Sequence, residues 1–245
     1  KKLYIFVTFI TFISMNLIAT NDNDLEECIP EKLPDIKERQ FSKEFVGTFN
    51  GKKLTYTASL KEKILYEKDN PDIPMASFFY TEYIADSDKN RPVMFSFNGG
   101  PGSASLWLHI GALGPKVVKV PSYASDDGSP PYKMVDNKLS PLSDADLVFI
   151  DPIGTGYSRA IGCHDPKEFW GVNEDPKIIA EFIRRWINDN KRWNSPRYIL
   201  GESYGGIRGP LLVSELRSGD LTPIEINGLL MVSPASDYQY LVFHP

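Results

Sequence analysis

Two glycine-rich segments of this chain hold residue types whose spacing suits covalent chemistry. Gly201-Glu202-Ser203-Tyr204-Gly205-Gly206 fits the pattern G-x-S-x-G. A nucleophilic serine is best presented on a sharp, strained turn between a strand and a helix, and glycines two residues to either side leave room for that turn. Tyr198-Ile199-Leu200 reads as the strand before it. A helix that starts after Ser203 and runs through Leu211, Leu212 and Leu216 to Gly219 follows. Its N-terminus would set positive dipole beside the serine, where negative charge develops during acyl transfer. The second segment, Asn98-Gly99-Gly100-Pro101-Gly102-Ser103, directly follows the apolar run Val93–Phe97. A Gly-Gly pair in that slot frees backbone N–H groups to face a ligand, as an oxyanion-binding loop requires. A phosphate-binding loop is excluded, since neither G-K-[ST] nor G-x-G-x-x-G occurs here. A third turn, Asp151–Ser158, also follows a strand and reads as a structural floor.

These loops need a scaffold of strands and helices. Lys53–Leu60 alternates apolar and polar residues and predicts a half-buried strand. Met75–Ala85 predicts another, and Val93–Phe97, Leu147–Ile150, Arg197–Leu200 and Asn227–Ser233 are short continuous apolar runs that suit buried parallel strands. Ile178, Ile179, Phe182, Ile183, Trp186 and Ile187 recur at helical spacing, with Asp175 as capping residue and Pro176 in the first helical position. Asp126–Pro131 predicts a loop. Early strands followed by strands alternating with helices indicate an α/β sheet.

Composition narrows the possibilities. The 245 residues hold 27 Lys+Arg against 32 Asp+Glu, a net charge of −5, with 42% hydrophobic and 24% charged residues. That is globular, and it lacks the basic stripe that nucleic-acid binding relies on. Two cysteines, Cys28 and Cys163, allow neither a disulfide-dense scaffold nor a four-cysteine zinc site. The spacing of His, Asp and Glu suggests no metal site, and no cofactor is expected. Lys1-Lys2 followed by the apolar run Leu3–Ile13 has the plan of a secretory signal peptide ending near Ala19, too short for a membrane span. An uncleaved anchor is the competing reading. The expected organisation is therefore a signal peptide at 1–20, an exposed lead-in at 21–44 and an α/β domain at 45–245. Export would put both cysteines in an oxidising compartment, where pairing and two free thiols both remain open.

Taken together, the three loops resemble the serine carboxypeptidase family of α/β-hydrolases. The family's N-G-G-P-G matches Asn98–Gly102 and its G-E-S-Y-G-G matches Gly201–Gly206 letter for letter. Its D-x-P-x-G-x-G-x-S segment matches Asp151–Ser158 with one residue fewer between Asp and Pro. The resemblance runs from about Phe45 onward and implies the N-terminal portion of an α/β-hydrolase fold: a mixed sheet with flanking helices, its last strands missing. It implies Ser203 as nucleophile and the backbone N–H groups of Gly100 and Tyr204 as oxyanion hole. It implies Asn98, the Gly99 N–H and Glu202 as binders of a peptide's free C-terminal carboxylate. Glu202 beside a carboxylate works only if the two share a proton, so an acidic pH preference is expected.

The chain also departs from the family. Ala112, in Ala112-Leu113-Gly114-Pro115, stands where many members carry a glutamate, and Ser103 stands where many carry a cysteine. The family's triad Asp and His fall well beyond the serine and are expected to be absent from these residues. Asp237 and His244 occur in the right order but only seven residues apart, too close to serve. His109 and His164 read as surface or partly packed imidazoles. A serine without its base is a poor nucleophile, so the 245 residues read as a C-terminally truncated, inactive piece of an exported serine carboxypeptidase. An esterase, a lipase-like hydrolase, an acyltransferase or a non-catalytic binding homologue are the alternatives.

Overall fold

A computed structural model describes residues 36–119, 130–218 and 222–236. The signal-peptide reading at 1–20, Cys28, most of the loop Asp126–Pro131, Asp237 and His244 lie outside the described residues. In chain order the elements are β1 (Gln40–Phe49), β2 (Lys52–Tyr66), β3 (Pro74–Ala85), β4 (Val93–Phe97), the single turn α1 (Leu106–Leu108), β5 (Lys116–Val118), β6 (Met134–Asp136), β7 (Asp146–Ile150), β8 (Arg159–Ala160), α2 (Glu174–Asp189), β9 (Arg197–Glu202), α3 (Gly205–Ser218) and β10 (Gly228–Val232).

The main sheet runs in the order β1-β2-β3-β7-β4-β9-β10, with β8 paired to β3. The first three strands form an antiparallel meander, and β3 meets β7 antiparallel. From β7 through β4 and β9 to β10 every pairing is parallel. β4 and β7 are buried along their whole length, which is why they read as unbroken apolar runs. Alternate residues serve opposite faces. Phe95, Phe97, Val148, Ile150 and Ile199 join one core with Ile179, Phe182, Ile183 and Trp186 of α2 and Leu212 and Leu216 of α3. Met94, Leu147, Phe149 and Leu200 join the other, with Phe49, Tyr56, Leu108 and Leu142. This mixed sheet, buried on both faces, fits the fold that the resemblance implied. Among the described residues β10 pairs only with β9, and its Leu230, Met231 and Val232 are exposed.

Two local expectations need correction. α2 begins at Glu174, and Asn173 in the capping position makes no side-chain cap bond. Asp175 is thus inside the helix, because its carboxylate is taken by Arg208 of α3 at 2.6 Å. Within the lead-in, residues 37–44 are exposed, and from Gln40 they are already strand β1. The small antiparallel pair β5–β6 had no sequence signal. Cys163 is disulfide-bonded, and the chain's one other cysteine is Cys28. Among the described residues no helix is long and apolar enough to cross a membrane.

Candidate active site

Ser203 sits between β9 and α3 with φ +56°, in the left-handed region that a side-chain-bearing residue avoids. Its backbone is fixed on three sides. Its N–H donates to Val232 O at 3.0 Å, and its carbonyl accepts from Gly206 N at 2.9 Å and Ala235 N at 2.8 Å. The strained turn is thus held by β10, by the residues just after it and by the start of α3, as a strained backbone must be to persist. Gly201 has no room for a side chain, since a Cβ there would lie 2.8 Å from the Gly205 carbonyl carbon. Gly205 itself is less demanding, its Cβ position being 3.4 Å from the Phe97 ring.

The loop after β4 lies against this elbow. A Cβ on Gly99 would stand 2.6 Å from Glu202 O and 2.9 Å from Ser203 Cβ, and closer still to the Tyr204 nitrogen. Glycine is the residue that permits this approach of two backbones. Gly100 follows with φ +109°, and its N–H donates to no protein group among the described residues. Asn98 is fully buried; its Nδ2 donates to Glu202 Oε2 at 3.0 Å, and its Oδ1 accepts from Leu108 N at 3.0 Å. The six residues singled out by the sequence therefore come together: Ser203 and Tyr204 on the elbow, Glu202 at the end of β9, and Asn98, Gly99 and Gly100 on the facing loop.

The third turn supports this loop from below. Asp151 Oδ1 accepts from Ser105 N at 2.8 Å, and the Ser105 hydroxyl donates to Ile150 O. Burial raises the Asp151 pKa, opposed by that backbone hydrogen bond. Ser158 Oγ accepts from Phe79 N at 2.8 Å, tying the turn to β3. Ile153, Gly154 and Trp170 line a cleft of about 290 Å3 with Pro101, Gly102 and Arg208.

Neither described histidine reaches Ser203 as a base. His109 opens a wide π-helical turn, His109–Leu113, which also carries Ala112. Its Nε2 is 2.6 Å from Tyr83 Oη and its ring stacks on Phe149. Burial lowers its pKa to about 4, so it is held neutral. His164 lies between Glu67 at 3.0 Å and Glu168 at 2.8 Å. Among the described residues no side chain hydrogen-bonds the Ser203 hydroxyl.

Arg208 stands outside the sequence motifs. It lies five residues after the serine, and its Nη1 donates to Asn98 O at 2.8 Å. An arginine on the sheet-facing side of α3 was the available signal.

Comparison with known proteins agrees with the motifs. The family description "Serine carboxypeptidase" matches residues 68–242. Serine carboxypeptidase-like 9 of Arabidopsis thaliana is 31% identical over 172 residues, covering 66% of this chain and 37% of that protein. Serine carboxypeptidase-like 5 of the same plant is 29% identical over 177 residues, covering 67% of this chain and 39% of that protein. The chain thus spans less than two fifths of the length of these relatives. Among solved structures, Kex1(delta)p, a prohormone-processing carboxypeptidase from Saccharomyces cerevisiae, superposes with a TM-score of 0.53 at 23% identity. That match covers 71% of this chain and 38% of the yeast chain, and it supports the fold. With its Asn98–Gly102 loop seated on its serine elbow and most of its length matched, the chain belongs to the serine carboxypeptidase family of α/β-hydrolases.

Proposed function

We propose that this chain supplies the nucleophile, oxyanion hole and carboxylate-binding residues of an exported serine-type carboxypeptidase. The carrying observation is the close seating of Gly99 on Glu202, Ser203 and Tyr204, which brings loop and elbow into one site. Ser203 Oγ attacks the carbonyl carbon of the last peptide bond and gives its proton to a base. The Gly100 and Tyr204 N–H groups stabilise the resulting oxyanion. The C–N bond then breaks, the amine leaves with a proton, and water hydrolyses the acyl-Ser203 ester. Asn98, the Gly99 N–H and Glu202 hold the substrate's free carboxylate.

Among the described residues no histidine reaches Ser203, so this reading assigns the general base and its acid partner to residues outside them. The described residues alone should therefore turn over little or no peptide. Export is supported by the signal-peptide plan of residues 1–20 and by the disulfide at Cys163, which suits an oxidising compartment. Ala112, exposed on the turn that begins at His109, leaves Glu202 as the acid beside Asn98 and favours an ester-cleaving or acyl-transferring second reading.

The test uses the natural full-length protein and three forms of a blocked dipeptide: free acid, amide and ester. The proposal expects release of the C-terminal residue from the free acid in preference, lost in Ser203→Ala. Cleavage of the ester with the free acid untouched favours the second reading. Turnover of none of them contradicts both.

A further inference from the structure

The most deeply buried ion pair near the site, Asp175–Arg208, is unused by the chemistry above. Arg208 Nε donates to Asp175 Oδ2 at 2.6 Å, and the two side chains are 2% and 9% exposed. The same guanidinium reaches three other groups. Nη1 donates to the carbonyl of Asn98 at 2.8 Å, and the guanidinium carbon lies 5.1 Å from the Phe97 ring centroid and 5.2 Å from that of Tyr204. One side chain therefore touches the residue preceding Gly99-Gly100 and the residue following Ser203, while anchored to the first turn of α2.

Folding alone is a weak reason for this arrangement. Taking two charges out of water costs several kcal/mol per ion, and apolar residues of similar volume often replace such a pair without loss of stability. What an apolar pair cannot do is hold a carbonyl at a set distance while gripping a ring on the opposite wall. A lysine would keep the charge but lose the fork that makes both hydrogen bonds at once.

We propose that Arg208, oriented by Asp175, is a positioning residue that fixes the Asn98–Gly100 loop relative to Tyr204, so that both oxyanion donors face one oxygen. The inference rests on the function proposed above. Oxyanion donors must lie about 2.7–3.1 Å from the developing charge, and a misplacement of about 1 Å costs on the order of 100-fold in rate.

The experiment again uses the natural full-length enzyme. The double variant Asp175→Leu/Arg208→Met replaces the pair with apolar volume and leaves no unpaired buried charge. It should fold, with a Tm within a few degrees of wild type, yet lose about 100-fold in kcat on the blocked dipeptide, with a smaller rise in KM because Asn98 and Gly99 share the loop. Arg208→Lys, which keeps Asp175 paired, should lie between, about 10-fold down in kcat. Hydrogen exchange read by mass spectrometry supplies an activity-independent measure: amides in residues 98–108 should exchange faster in both variants, with those of β4 unchanged. A double variant with wild-type kcat overturns the proposal, as does a rise in KM at constant kcat or unchanged exchange over residues 98–108. If the double variant does not fold, Arg208→Lys decides by the same readings. If the wild-type protein turns over no substrate, the proposed function fails on its own, and the exchange difference alone decides whether Arg208 holds the loop.

Discussion

Replacing Gly99 with alanine probes the contact that brings loop and elbow together. The added Cβ would sit 2.6 Å from Glu202 O, whereas ordinary contact begins near 3.4 Å, so the two backbones must part by at least about 0.8 Å. The nearest atom of all is the Tyr204 nitrogen, a proposed oxyanion donor. Both the spacing of the donors and access to one of them are disturbed at once. Loss of a single oxyanion donor costs about 100- to 1000-fold in kcat, and a displacement near 1 Å costs a comparable amount. Gly99→Ala should therefore lower kcat/KM on a blocked dipeptide by about 100-fold or more in the natural full-length enzyme. Overpacking should also cost about 1–3 kcal/mol, or a few degrees in Tm for a protein of this size. Gly111→Ala is the control, because a Cβ there meets nothing within 4 Å and its φ is not positive. It should leave both quantities near wild type. A Gly99→Ala enzyme with wild-type kcat/KM would refute the close seating of the loop on the elbow.

Two further outcomes concern stability. His109 is held neutral with a pKa near 4, below the ordinary histidine value, so between about pH 6.5 and 4 the unfolded chain takes up a proton that the folded chain does not. Stability should fall on acidification through that window, by about 2 kcal/mol between about pH 7 and 5 from this residue. His109→Gln, which can still accept from Tyr83, should flatten that part of the pH dependence in urea melts; an unaltered slope would contradict the burial of the ring. Reducing the disulfide at Cys163 should lower Tm, with a typical loss of about 2–4 kcal/mol. Identical melts with and without reductant would show that the bond carries no stability.

Much of the scaffold was legible in the sequence because burial on both faces leaves an unbroken apolar signature. Val93–Phe97 was bounded to the residue, and β7 and β9 to within two. The elbow was legible because its constraint is local: a strained serine needs glycine beside it, and Gly201 has no room for a Cβ. β1 escaped because Phe41 and Val46 point outward, 70% and 61% exposed, among charged and polar neighbours. A signal did exist in Asn50-Gly51, a two-residue turn with both φ values positive, the form that closes tight hairpins. Asp175 was misread for a different reason. Capping is a local rule, but its carboxylate is claimed by Arg208, 33 residues further along the chain. His109 depends likewise on Tyr83 and Phe149, which no spacing in the sequence brings near it.

The central claim is that Ser203 forms the covalent acyl bond. The most direct measurement is to treat the natural full-length protein with a fluorophosphonate and locate the adduct by peptide mass spectrometry. The account predicts one equivalent of label on the peptide containing Gly201–Gly206, at Ser203, with loss of peptidase activity in parallel and no label in Ser203→Ala. A protein that cleaves the dipeptide yet carries the label on another residue, or that retains activity in Ser203→Ala, would contradict it.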